Sequence, residues 1–342
     1  MKRKHFLSFM LTAGLAIPVQ ASFGSRTKSS ENPPLKQPPF LKAGDTIGIT
    51  SPAGFITTAE ILPAIAMMES WGFKIKIGKA IDKRDFTMGG TDQERAADLQ
   101  EMLDNPEIKA IMCARGGYGM VRIIDLLNFD RFLQMPKWII GFSDVTVLHC
   151  HLNRQFGIAS IHSKMCNSFP TDPALADAVQ LETIMSIKKL LKGENLQYQG
   201  PIVSLNKPGK TEGPLVGGNL SIIETMAGTK SDLQTDGKIL FVEDTGEYLY
   251  RLDRMFWNLK RTGKLANLAG LIIGGFKTKP DDPGEEFGKT IYDIVLEKVK
   301  GYGYPVAFDF PVGHQKNNFA LKCGVKHNLE VGPNGSRLAA MS

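Results

Sequence analysis

Apolar residues recur along this chain in two periods, and the two periods take turns. Thr46-Ile-Gly-Ile-Thr-Ser51 reads as a strand, followed by the loop Pro52-Ala-Gly54. From Thr58 to Trp71 the spacing becomes helical, with Ile61, Ile65 and Met68 on one face. Lys74-Ile-Lys-Ile77 predicts a second strand. Thr91 to Leu103 predicts a helix, with Thr91 as its cap and Glu94 three residues on, the spacing of a capping box. Ala110-Ile-Met-Cys-Ala114 predicts a third strand that runs into Arg115-Gly-Gly-Tyr-Gly119. Trp138-Ile-Ile-Gly141 predicts a fourth, Asp144 to Gln155 the helix after it, and Gly157 its stop. Strands alternating with helices at this spacing argue for a parallel α/β sheet.

The pattern then changes. Residues 166–210 hold a helical stretch from Pro173 to Leu191 and a polar segment with Gly200-Pro201 and Pro208-Gly209, which suits an interdomain connection. Residues 211–342 carry short β runs at Lys238-Ile-Leu-Phe-Val242, Gly270-Leu-Ile-Ile-Gly274 and Pro305-Val-Ala-Phe308. Helical stretches at Glu247–Arg261 and Glu286–Val299 interrupt them. Two domains are the expectation for 342 residues: an α/β domain over 40–165 and a smaller β-rich domain over 211–342.

The first 39 residues stand apart. Lys2-Arg3-Lys4 followed by an apolar run from Phe6 to Val19 is the pattern of a signal peptide over 1–21, cleaved after Val19-Gln20-Ala21. Residues 22–39 are polar and Pro-rich, as in a flexible linker. This predicts a periplasmic or otherwise exported protein without stable membrane insertion after cleavage. The formal charge is +6, and three of those charges leave with the signal. What remains is too weak to argue for nucleic acid. Cys113, Cys150, Cys166 and Cys323 form no zinc or disulfide framework. No metal or cofactor is expected.

Ligands of open α/β sheets gather at the carboxyl ends of strands. Two such loops hold candidate chemistry. Arg115-Gly-Gly-Tyr-Gly119 lets backbone N–H groups approach an anion, and it also suits a tight turn. It lacks a nucleotide-binding fingerprint. Gly141-Phe-Ser-Asp-Val145 puts Ser143 where a nucleophile elbow would, with the Asp144 N–H facing an oxyanion. Val145 stands where the second glycine of that motif would be, and Ser143 serves equally well as a helix N-cap. A serine nucleophile needs a base and an orienting acid. His149, His151, His162 and His314 are candidate bases; Glu243, Asp244 and Glu247 are candidate acids.

Several ordered blocks together resemble the LD-carboxypeptidase family, serine peptidases that trim muropeptides. They are Gly44-Asp-Thr-Ile-Gly-Ile-Thr-Ser-Pro-Ala, Ala114-Arg-Gly-Gly-Tyr-Gly, Ile140-Gly-Phe-Ser-Asp-Val-Thr, Gly213-Pro-Leu-Val-Gly-Gly-Asn-Leu, Phe241-Val-Glu-Asp-Thr-Gly-Glu and Pro311-Val-Gly-His. The resemblance implies a flavodoxin-like N-terminal domain, a β-rich C-terminal domain and a homodimer. It implies Ser143 as nucleophile, His314 as base and Glu243 as orienting acid, in a cleft between the domains. Asp144 and the Gly116-Gly117 turn would hold the oxyanion. From charge alone, Arg115 or Arg251 could pair with the substrate's terminal carboxylate, while Arg251, on the helical stretch Glu247–Arg261, also reads as a solvated arginine. The implied reaction releases terminal D-Ala from a murein tetrapeptide without a cofactor. Two alternatives go with it: the family's microcin-immunity branch, with Trp257 and Tyr118 as groups able to stack a nucleobase, and a non-catalytic binder of cell-wall peptide.

Overall fold

Strand β1 (Thr46–Thr50) opens a sheet whose members are mostly apolar and buried on both faces, as parallel strands covered by helices must be. A computed structural model describes residues 33–341. After β1 come α1 (Thr58–Ser70), β2 (Lys74–Ile77), α2 (Asp92–Asp104), β3 (Ile108–Cys113), α3 (Met120–Ile123), α4 (Asp130–Gln134), β4 (Trp138–Gly141), α5 (Thr146–Phe156) and β5 (Ser160–His162). The strands lie in the order β2-β1-β3-β4-β5, all parallel. That is the flavodoxin-like order, which places ligands outside the carboxyl ends of the strands. Thr91 caps α2 as its sequence predicts, accepting the Glu94 N–H while Glu94 accepts the Thr91 N–H.

The remaining elements are α6 (Ala178–Leu191), β6 (Gln197–Gly200), β7 (Gly209–Asn219), α7 (Leu220–Thr225), β8 (Ile239–Glu247), α8 (Leu249–Arg261), β9 (Gly270–Thr278), α9 (Ile291–Val299), β10 (Val306–Ala307), β11 (Leu321–Cys323), β12 (Lys326–Gly332) and β13 (Gly335–Ala340). A second sheet runs β10-β9-β8-β7-β12-β13-β6. Four of its strands, β7 to β10, are parallel and linked through α7, α8 and α9. The β-rich half therefore contains an α/β unit of its own. Its strands Ile239-Leu-Phe-Val242 and Leu271-Ile-Ile273 are continuous apolar runs because both faces are covered.

Two boundaries read from composition differ in the structure. Residues 33–39, expected to be linker, are tied to the first sheet: the Lys36 N–H donates to Gly157 O at 2.8 Å, and the Ala159 N–H donates to Lys36 O at 2.9 Å. Trp138 Nε1 donates to Pro39 O at 3.0 Å, and Phe40 stacks on Trp138. Prolines lack the N–H of a regular ladder, so this edge contact leaves no strand pattern in the sequence. The expected connection over 166–210 is likewise built into both halves. Ile184, Ile187, Leu190 and Leu191 of α6 join the core under the first sheet, while β6 closes the edge of the second. The predicted signal peptide lies outside the described residues.

The two halves interlock. Strand β11, from near the end of the chain, pairs antiparallel with β5, Leu321 opposite His162 and Cys323 opposite Ser160. The described residues form one compact unit for this reason. The four cysteines are all free and buried.

Candidate active site

The strand β4 delivers Ser143 to the carboxyl edge of the first sheet. The chain must turn sharply after β4, and Gly141 allows it: a Cβ there would lie 3.0 Å from Val145 Cγ2 and 3.2 Å from Cys113 Cβ. Ser143 then takes a left-handed conformation, φ +61°, at the start of a 3₁₀ turn over Ser143–Val145. For a residue with a Cβ this costs about 1–2 kcal/mol. The surroundings hold it in place. The Gly141 carbonyl accepts from the Ser163 N–H at 3.1 Å and from the buried His149 Nε2 at 2.9 Å. The alternative role of helix cap is not taken, since α5 begins after Val145, which makes no side-chain cap bond.

The other two groups arrive from the second half. Glu243 stands in β8 with its side chain fully buried. The loop after β10 carries His314 back toward the first sheet, where it continues into β11. Gly313, at φ +103°, lets this loop pass over Glu243: a Cβ there would fall 2.4 Å from Glu243 Cβ. The Gly313 N–H donates to Asn318 Oδ1 at 2.7 Å, which fixes the loop from inside. Glu243 Oε2 then accepts twice from one residue, from His314 Nδ1 at 2.6 Å and from the His314 backbone N–H at 3.1 Å. With the ring proton held at Nδ1, Nε2 is left as an acceptor. It faces Ser143 Oγ at 3.2 Å. Phe142 packs on the imidazole, ring centroids 4.8 Å apart. Serine hydroxyl, imidazole and carboxylate thus form one hydrogen-bonded line, the geometry that lets a base take the serine proton.

The glycine loop lies against the serine. A Cβ on Gly116 would sit 3.0 Å from Ser143 Cβ and 3.1 Å from Ser143 Oγ, so only glycine leaves room there. Among the described residues, the N–H groups of Gly116, Gly117 and Asp144 meet no acceptor in the protein. They are available to a developing oxyanion. The Asp144 side chain does something different: its buried carboxyl accepts the Met120 N–H at 2.7 Å and ties the serine turn to the end of that loop. Burial pushes its pKa up to about 6, opposed by the Met120 hydrogen bond and the nearby Arg95.

Arg95 gave no sign in the sequence beyond its place on α2. It is fully buried and donates to Pro52 O at 2.5 Å, Gly119 O at 2.9 Å and Gly90 O at 3.2 Å. One guanidinium thereby fastens the loops after β1 and β3, whose backbones also meet through the Gly54 N–H and Gly116 O at 2.8 Å. The block Gly217-Gly218-Asn219 joins the halves in the same spirit. Gly218 abuts Thr146 just past the serine turn, and Thr146 Oγ1 accepts the Asn219 N–H at 3.1 Å. The Asn219 amide donates to Asp244 Oδ1 at 3.0 Å, which gives that neighbour of Glu243 a structural task.

The other candidates fall elsewhere. His149 is buried between Ser160 Oγ and Gly141 O, and burial lowers its pKa to about 4. His151 bonds Ser231 Oγ at 2.9 Å. His162 is fully buried behind Phe142, and burial holds its pKa well below 6.5. Arg115 is exposed and donates to Phe55 O at 3.1 Å; Arg251 pairs with Glu247 at 3.0 Å. The Trp257 ring is overlaid by Lys260 and Lys298, while Tyr118 projects from the glycine loop into solvent. No cluster able to hold a metal occurs among the described residues.

The chain matches the LD-carboxypeptidase N-terminal domain over residues 47–163 and the LD-carboxypeptidase C-terminal domain over residues 212–329. It belongs to the LD-carboxypeptidase family. Ser143 lies in the first matched segment and Glu243 and His314 in the second. A family member from Bacillus subtilis, named as a probable murein peptide carboxypeptidase, is 34% identical over 85% of this chain and 90% of its own length. The murein tetrapeptide carboxypeptidase of Pseudomonas aeruginosa is 31% identical over 85% of this chain and 94% of its own. The crystal structure of the Oxalobacter formigenes muramoyltetrapeptide carboxypeptidase superposes with a TM-score of 0.75 at 26% identity, covering 87% of this chain and 99% of that one. A microcin C7 self-immunity protein, solved with aspartyl sulfamoyl adenosine, superposes with a TM-score of 0.78 at 25% identity, covering 90% and 99%.

Proposed function

We propose that this protein is a serine LD-carboxypeptidase that releases terminal D-Ala from murein tetrapeptides. The observation that carries the reading is the line Ser143–His314–Glu243, assembled from two halves of the chain with Nε2 free to accept the serine proton. Ser143 attacks the carbonyl of the L-configured centre before D-Ala. His314 takes its proton at Nε2 and returns it to the leaving amine. Glu243 holds the Nδ1 proton and stabilises the imidazolium formed on the way. The N–H groups of Asp144, Gly116 and Gly117 receive the oxyanion, and loss of one such donor typically costs about 100- to 1000-fold. Water then releases the acyl group by the same path in reverse.

The microcin-immunity activity is the second reading, supported by the superposition with that structure. The murein carboxypeptidases are nearer in sequence, at 34% and 31% against 27% for the Escherichia coli microcin C7 self-immunity protein. We also propose export through residues 1–21, which would bring the enzyme to peptide of the cell wall, and assembly as a homodimer.

The test uses two tetrapeptides that differ only in ending with D-Ala or L-Ala. Release of D-Ala alone, abolished by Ser143→Ala in a folded protein, is the expected result. Release unaffected by Ser143→Ala would refute the assigned nucleophile. No release from either, with cleavage of an aminoacyl sulfamoyl nucleoside, would favour the immunity reading. Full-length protein with an intact residue 1 in the cytosolic fraction would refute export.

A further inference from the structure

We infer that Lys164 is the cation that takes the free carboxylate of the leaving residue. This rests on the carboxypeptidase reading and adds a specificity-determining contact to it. His314 Nε2 protonates the departing amine, so that nitrogen has to come within hydrogen-bond reach of the imidazole. Its carboxylate is only two bonds further along the substrate. A carboxylate-binding cation therefore belongs on the His314 side of Ser143, away from the oxyanion donors of the glycine loop.

Lys164 stands on that side. It follows β5, whose end lies next to the end of β4, and its neighbour Ser163 donates its backbone N–H to the Gly141 carbonyl. Its ammonium donates to the carbonyl of Gln315, the residue after His314, at 2.7 Å. The same ammonium lies 5.8 Å from the centroid of Phe142, the ring that packs on His314. Lys164 thus borders the reacting groups without being one of them.

Its environment is built for an anion that the protein does not supply. The side chain is half-buried, and among the described residues its one hydrogen-bond acceptor is the Gln315 carbonyl, which leaves two of its N–H donors without a partner there. Glu243 is the carboxylate that attracts it, and that group is committed to His314. Lys277, at the exposed end of β9, pushes against it with like charge and has no ion-pair partner of its own among the described residues. Burial and this repulsion together lower the Lys164 pKa. A half-buried ammonium whose acceptor among the described residues is a neutral carbonyl is stabilised by an incoming carboxylate. Arg251 is already paired and Arg115 sits on the glycine loop, so neither competes for this position.

The test compares a tetrapeptide ending in D-Ala with the same peptide ending in D-alaninamide. Lys164→Met keeps the apolar stem and removes the charge. It should lower kcat/KM for the acid by about 10- to 100-fold, the worth of a charge-assisted contact, and leave the amide unchanged. Lys164→Arg should restore most of the loss, and Lys277→Met should give a smaller loss with the same preference. On the Ser143→Ala background, calorimetric binding of the acid peptide, but not the amide, should weaken in Lys164→Met. Equal losses on both peptides, or an acid limb of the pH profile that moves equally for both, would overturn the proposal and make Lys164 a group acting through His314. Release of D-Ala that Lys164→Met leaves intact would sink the contact alone. No release by the unsubstituted protein would sink the carboxypeptidase reading, and this inference with it.

Discussion

Replacing Glu243 by Gln should separate catalysis from stability in this protein. The carboxylate is fully buried, and its Oε2 accepts both His314 bonds, at 2.6 and 3.1 Å. The backbone of Gly313 passes so close that a Cβ would lie 2.7 Å from Oε2, so no water can take the place of a lost oxygen. The amide occupies the same space with no charge. In the transition state His314 becomes an imidazolium, and the attraction of a unit charge about 4 Å away is worth roughly 4 kcal/mol at an effective dielectric of about 20. That is about a thousandfold in rate. An amide turned to present its NH₂ to Nδ1 also forces the proton onto Nε2, the wrong tautomer for a base, and amide replacement of a triad carboxylate has cost about ten-thousandfold. The expected loss in kcat is therefore roughly 1,000- to 10,000-fold, with KM little changed, because the charge on His314 exists only on the way to reaction. Stability should hold while the amide oxygen keeps both His314 bonds, and should fall by about 1–3 kcal/mol where the NH₂ faces the His314 backbone N–H instead. Glu243 Oε1 has no hydrogen-bond partner, and an uncharged isostere removes a buried charge. Steady-state release of D-Ala and a thermal melt of the same preparation measure both. A loss under tenfold, or a loss that follows unfolding, would refute the role given to Glu243.

Other perturbations address the rest of the site. Gly116→Ala should push the nucleophile, since the new Cβ meets Ser143 Oγ at 3.1 Å; we expect kcat to fall about 100-fold with a stability loss of about 1–3 kcal/mol, and near-normal turnover would contradict the packing. Ser143→Gly and Ser143→Ala should both be inactive, but the glycine variant should be the more stable by about 1 kcal/mol because only it relaxes φ +61°. Calorimetry showing the alanine variant as the more stable would remove the argument for strain. Asp144→Asn should change the dependence of stability on pH. Folded Asp144 keeps its proton up to about pH 6, whereas the unfolded chain releases it near 3.8, so the native protein loses stability as pH rises through that window. The total is on the order of 3 kcal/mol. Melts from pH 4 to pH 7 should show the asparagine variant gaining on the unsubstituted protein across this range, and a constant difference would refute the buried charge. His149 works in the opposite sense: its folded pKa near 4 against 6.5 means that stability present above pH 6.5 is lost on acidification, and Asp144→Asn should steepen that loss.

How the site could be read before the fold was known follows from which contacts leave a trace in sequence. Strand periods do, and they put Ser143 after the fourth strand and Glu243 directly after the run Lys238–Val242, each without any knowledge of the other. Yet each is ambiguous on its own: Ser143 serves equally well as a helix cap, and Glu243 is one of three candidate acids with Asp244 and Glu247. Only the combined blocks of the family singled out His314 from the other histidines. Packing then explains what local reading could not. His149 and His162 lie on or after the serine's own helix and strand, but burial spends them on structure. His314 is 171 residues away and reaches Ser143 because β11 crosses into the first sheet and draws the preceding loop with it. A three-residue strand pairing with a distant edge has no period to detect. The same is true of Arg95, whose carbonyl partners are fixed by tertiary geometry, and of the glycines that admit His314 over Glu243. The serine is reactive, on this view, because of a chain crossing rather than a motif. A substitution that weakens β11 pairing should therefore loosen the base before it unfolds the domain that holds the nucleophile.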